Sequence, residues 1–138
     1  MSALTAEQQR KVNQIKAALE QSDRAVHDHF ASLDRFERSA MKVASGRVSG
    51  PWLDTLDKLR TELLAARDRL DQIHTGLSAQ RFLRASLIQM ASGVAAWRHA
   101  LGSNDTKQID AAITSMNRHF AAAEANGVRG ALYLKRGR

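Results

Sequence analysis

Two arginines three residues apart, Arg81 and Arg84, follow Ser78 at a point where the sequence permits a helix to begin. The free amides of a helix N-terminus carry partial positive charge and point at anions. Together with the Ser78 hydroxyl and two guanidinium groups they have the makings of a phosphate contact. Cations in the first two turns oppose the helix dipole, which favours carboxylates there. The alternative is that Arg81 and Arg84 pair with Asp68 or Asp71 across the preceding turn, or stay solvated. A second cationic group closes the chain: Arg129, Lys135, Arg136 and Arg138, with Gly130 and Gly137 as flexible points and Leu132, Tyr133 and Leu134 as an anchor. Tyr133 can stack on a base or fill a neighbouring pocket; the competing reading is a frayed terminus. Arg98 completes the cationic set, and Phe82, beside Arg81 and off the adjoining apolar seam, is the candidate exposed aromatic.

Other chemistry is weakly supported. A ferritin-like metal centre needs paired Glu-x-x-His units on facing helices, and the chain has none; Asp71 and His74 have i, i+3 spacing without a matching second pair. His27 and His29 point to different faces of a helix and cannot chelate together, while Asp23 and His27 form an ordinary intrahelical pair. His99 and His119 stand alone. No general base has a nucleophile beside it, and no Gly-x-Ser-x-Gly, His-Glu-x-x-His or phosphate-cradling glycine loop occurs. The absence of cysteine removes disulfides, thiolate metal sites and thiol catalysis. The chain therefore reads as a non-enzyme with no cofactor, no metal and no small-molecule substrate.

The elements that must position these cations are helical. Thr5 and Gln8 have capping-box spacing, and a seam follows at Val12, Ile15, Leu19, Ser22, Val26, His29, Leu33, Phe36 and Ala40. Such a helix of ~40 residues would span ~60 Å, against a radius of gyration of about 14 Å for a compact chain of this length. It outruns its own domain, so part of its stripe is left for a partner chain. The competing reading breaks it at Gln21, Ser22 and Asp23. His29 falls on the seam one heptad after Ser22, where a polar residue can fix register or partner choice; the favoured alternative is a partly exposed histidine that merely tolerates its place.

Residues Ser45 to Pro51 form the clearest break, with Pro51 at the first position of a second helix. That helix carries the seam Leu56, Leu59, Leu63, Ala66, Leu70, Ile73 and Leu77. A change of phase at Thr75, Gly76, Leu77 and Ser78 leaves open whether the chain turns back or runs on into Leu83, Leu87, Met90, Val94, Trp97 and Leu101. Gly93, among Ala91, Ala95 and Ala96, implies close approach of another helix, with a kink at Ser92 and Gly93 as the rival. Trp97 reads as core and Trp52 as partly exposed. Asp105 and Gln108 suggest a second capping box, and Asn126 and Gly127 a left-handed stop to the fourth helix. The expected fold is an all-α antiparallel bundle of about four helices with an elongated first helix, a bundle domain over 1–127 and a basic C-terminal tail over 128–138. Only Ala131 to Lys135 offers a short extended candidate.

Of 138 residues, 21 are basic and 14 acidic, a net charge of +7, and the excess is unevenly spread. Residues 1–50, 51–76 and 104–127 together sum to zero, whereas 77–103 and 128–138 contain no acid at all. Fifteen of the basic residues are arginine, which suits bidentate phosphate contact. Nucleic-acid backbone, RNA or DNA, is the expected partner, together with other protein subunits or self-association. No signal-like start and no apolar run of membrane length occurs, so the expectation is a soluble cytoplasmic protein with no membrane partner. In size and charge the chain is similar to small helical subunits of multi-subunit CRISPR effector complexes, and equally to phage or plasmid nucleoprotein subunits. The acid-free stretches themselves, not that likeness, give the expected contacts: non-specific backbone binding through Ser78, Arg81, Arg84, Arg98, Arg129, Tyr133, Lys135, Arg136 and Arg138. The rival class is a protein–protein adaptor or virion structural subunit that binds an acidic partner.

Overall fold

The computed structural model describes residues 3–42 and 50–138, with side chains described for 3–35 and 50–138. Among the described residues four helices follow one another: α1 (Ala6–Lys42), α2 (Gly50–Asp71), α3 (Ser78–Gly102) and α4 (Thr106–Lys135). No strand occurs among the described residues. Most of the break between the first two helices, Ser45 to Ser49, lies outside the described residues, as do the side chains of Phe36 and Ala40. Gly50 and Pro51 open α2.

Local chemistry explains where the helices start. At α1 both halves of the capping box form: the Gln8 amide donates to Thr5 Oγ1 at 3.1 Å, and the Thr5 amide donates to Gln8 Oε1 at 2.9 Å. At α4 the box is only half made. The Lys107 amide donates to Asp105 Oδ1 at 2.9 Å, but the Asp105 amide turns to Ser103 Oγ instead of Gln108. α1 continues through Ser22 without a break, 37 residues in all, or about 55 Å at the α-helical rise.

The helices alternate in direction. The α2 seam meets α1 through Leu33 and Trp52 at one end and through Ile15, Ala18 and Leu70 at the other. Ala91 and Val94 of α3 close the first cluster, while Leu83 of α3 and Leu134 of α4 pack on the second. The connection between α2 and α3 therefore turns back. Trp52, expected to be partly exposed, is buried at 7% exposure, because it lies one turn before Leu56 and extends the same apolar face towards Leu33.

The most extensive contact, α3 with α4, is built on small residues. A Cβ at Gly93 would come within 2.6 Å of the Phe120 ring, and one at Gly130 within 2.8 Å of Leu83 Cγ. Close approach, not a kink, explains Gly93. The same packing overturns the stop expected at Asn126 and Gly127. Gly127 faces Ser86, Asn126 Nδ2 donates back to the Ala122 carbonyl at 2.9 Å, and α4 runs on to Lys135. Residues Ala131 to Lys135 are therefore helical and not extended.

Candidate functional site

Antiparallel packing gathers the N-termini of α1 and α3 and the C-termini of α2 and α4 at one end of the bundle. Both acid-free stretches reach that end. The chain stops α4 there with a Schellman turn: the Arg138 amide donates to the Tyr133 carbonyl at 2.9 Å, the Gly137 amide donates to the Leu134 carbonyl at 3.1 Å, and Gly137 takes φ +66. The Arg138 carbonyl then accepts the Ala79 amide at 3.1 Å. Neither a frayed terminus nor a flexible arm describes these residues. Gly130 is buried in the α3–α4 contact, and Gly137 is a cap.

That hydrogen bond changes the reading of the α3 N-terminus. Leu77 is the N-cap and makes no side-chain capping bond, Ser78 is an exposed first residue of the helix, and one of the free amides is already satisfied by Arg138. Arg84 does not converge on the same point either. Its Nε donates to Asp71 Oδ1 at 2.6 Å, and this hydrogen bond and the Asp71 charge raise the guanidinium pKa still further above its ordinary value. Of the two competing expectations for Arg84, the ion pair prevails. Arg81 is exposed and has no ion pair among the described residues.

Arg98 belongs elsewhere. Its Nε donates to Asp57 Oδ1 at 2.7 Å across the α2–α3 contact, and seventeen helical residues put it about 25 Å along α3 from Arg81. Arg129 and Tyr133, one turn apart on α4, both engage Phe82 of α3. The Arg129 guanidinium lies 5.3 Å from the Phe82 ring centroid, and the Phe82 and Tyr133 rings stack at 5.3 Å with an interplanar angle of 6°. Phe82 is thus half-buried, not the exposed aromatic expected, and Tyr133 directs a ring face into the protein.

What remains of the expected cations at this end is Arg81, Lys135, Arg136 and Arg138, all exposed and none in an ion pair among the described residues. The nearby carboxylates are taken: Glu7 by Lys11 at 3.5 Å, Asp68 by Arg67 at 2.8 Å and Asp71 by Arg84. Two concavities flank the Ala79–Arg138 hydrogen bond. One, at the α2–α3 turn, is lined by His74, Ser78, Arg81 and Arg84; the other, between the starts of α1 and the end of α4, is lined by Leu4, Gln8, Leu132, Lys135, Arg136 and Arg138. Leu4 and Gln8 carry no sign of a place at this site in the sequence, because only the folded chain brings them beside the last turn of α4.

Of the histidines, His74 lines the concavity at the α2–α3 turn. His119 Nδ1 lies 2.6 Å from Gln89 Oε1, bridging α4 and α3. Asp71 is engaged by Arg84, and no three of His, Asp and Glu assemble into a metal-binding group among the described residues. No described helix is long and apolar enough to cross a membrane. Comparison with models of protein families, with curated proteins and with solved structures gave no match to this chain.

Proposed function

We propose that the chain is a non-enzymatic helical subunit of a nucleoprotein assembly, which lays one basic end against nucleic-acid backbone without reading sequence. The observation behind this reading is the convergence of two acid-free stretches, distant in the chain, on a single end of the bundle. There they leave four cations without an ion pair among the described residues, while the neighbouring side chains of Glu7, Asp68 and Asp71 are each paired. Cations held without counter-charges keep their full attraction for a polyanion, and each phosphate they neutralise releases condensed counterions. Contacts to phosphate carry no sequence information, and Phe82 and Tyr133 stack on each other.

Fluorescence anisotropy with a labelled oligonucleotide of arbitrary sequence tests this reading. Binding should be measurable at low salt and fall steeply as salt rises. The double variant Arg136→Gln/Arg138→Gln should lose most of the low-salt affinity, whereas Arg98→Gln, remote and tied to Asp57, should keep it. Equal affinities for the two variants would defeat the assignment of this end.

A second reading is favoured by one observation. Val128 and Leu132 on α4 are 57% and 53% exposed, close to the cations. An apolar surface beside positive charge also suits an adaptor that binds an acidic protein partner. That complex would survive moderate salt.

A further inference from the structure

The groove between the first turn of α1 and the last turn of α4 combines two kinds of surface that phosphate binding alone does not need. Lys135, Arg136 and Arg138 supply three cations, Leu4 and Leu132 supply an apolar floor, and no Asp or Glu side chain is among its lining residues. Leu132 is 53% exposed in this position. Its frame is already fixed by the Schellman turn and by the Ala79–Arg138 hydrogen bond. A Cβ at Gly137 would come within 2.7 Å of Leu4 Cδ2, so the two chain segments are in close contact beneath the groove. A ligand binding here would not have to order the protein first.

A duplex turns its phosphates outward and stacks its bases inside, so it can use the cations but has nothing to set on Leu4 and Leu132. On charge alone it would still be favoured, because its phosphate density is higher than that of a single strand. An unpaired strand carries phosphates and also exposes the apolar faces of its bases, which can lie on a protein surface without sequence preference. The cations also continue beyond the groove, past the Ala79–Arg138 junction to Arg81. A polymer with a charge on every residue can engage both parts, whereas a short acidic peptide segment cannot.

We propose that this groove seats one unpaired strand of nucleic acid in preference to duplex, with phosphates on Lys135, Arg136 and Arg138 and a base face on Leu132 and Leu4. This rests on the nucleic-acid reading above and specifies the form of its ligand. The test uses the full chain and three probes at one ionic strength: oligothymidylate, a hairpin duplex with the same number of phosphates, and inorganic polyphosphate. The strand should bind more tightly than either of the other two. Leu132→Gln, at an exposed position and checked for folding by circular dichroism, should lower strand affinity about fivefold and leave duplex and polyphosphate binding unchanged. Duplex binding equal to or tighter than strand binding overturns the proposal while leaving the basic-end reading intact, as does a Leu132→Gln effect shared by all three probes. Failure to bind any probe overturns both. Binding of an acidic peptide rich in Glu and Leu, without binding of either nucleic acid, also overturns both and favours the adaptor.

Discussion

At the residue scale, a methyl group added to glycine separates positions that look alike in the sequence. Gly93→Ala should gain about 1 kcal/mol in helix propensity. It would also place a Cβ within 2.6 Å of the Phe120 ring, and overpacking of that kind costs about 1–3 kcal/mol. Urea denaturation should therefore show a net loss. Gly102→Ala, with nothing within 4 Å of the new carbon, should be neutral or slightly stabilising in the same assay. Gly137→Ala differs from both, because the φ of +66 is left-handed and costs a side-chain-bearing residue about 1–2 kcal/mol, before any contact with Leu4 is counted. It should lower Tm and reduce hydrogen-exchange protection of the Ala79 amide, whose acceptor is the Arg138 carbonyl. The close approach at Gly93 was legible because an isolated helical glycine among alanines has few other uses. Gly127 misled, since Asn-Gly suits a left-handed cap as well as it suits a helix interface. Only the neighbouring Ser86 on α3 decides between them, and no local pattern contains it.

At the scale of elements, the connection from α2 to α3 depends on Gln80 more than on its turn residues. Gln80 Nε2 donates to the Leu70 carbonyl at 2.6 Å and the Ile73 carbonyl at 2.9 Å, and Gln80 Oε1 accepts from Thr75 Oγ1 at 2.5 Å. One carbonyl in the last turn of α2 and one in the turn that follows thus find their donor on the next helix. Gln80→Leu keeps the bulk and removes both donors, so it should cost about 1–3 kcal/mol, read as a lower urea midpoint with unchanged slope. Nothing in the sequence marks this role, because it joins residues ten apart through a turn whose geometry is not encoded by spacing. The α1–α2 contact was more legible. Ser22 is a polar residue on an apolar seam, and it is buried at 2% exposure, hydrogen-bonded by Arg69 Nη1 and 3.5 Å from Glu62 Oε2. Ser22→Ala should destabilise by about 1 kcal/mol. The exposed Arg84–Asp71 pair contributes far less, since solvent screens it. A raised arginine pKa adds stability that is complete below the unfolded value and is lost only as pH rises through the folded one. Both lie far into the alkaline range, so Arg84 adds no pH dependence near neutrality.

At the scale of the whole molecule, net charge says less than its distribution after ion pairing. The sequence showed where acids are missing, and from that alone Arg81, Arg84 and Arg98 looked equivalent. Folding separates them, because Asp71 and Asp57 come from α2, outside the acid-free stretch, to meet Arg84 and Arg98. Topology rather than spacing then joins Arg81 to Lys135, Arg136 and Arg138, since two antiparallel helices must bring the start of one to the end of the other. The salt dependence of nucleic-acid binding measures which cations take part. Each phosphate contact adds about 0.7 to the slope of log K against log salt for a single strand and about 0.9 for duplex. Arg81→Gln/Arg136→Gln should therefore reduce the single-strand slope by about 1.4 if both residues touch phosphate. Arg84→Gln/Arg98→Gln removes the same formal charge, but from cations already matched by carboxylates, and should leave the slope nearly unchanged. Equal slope changes in the two double variants would mean that the protein acts on a polyanion through its total charge. The bundle end would then have no claim to be a site, although the fold and its ion pairs would stand as described.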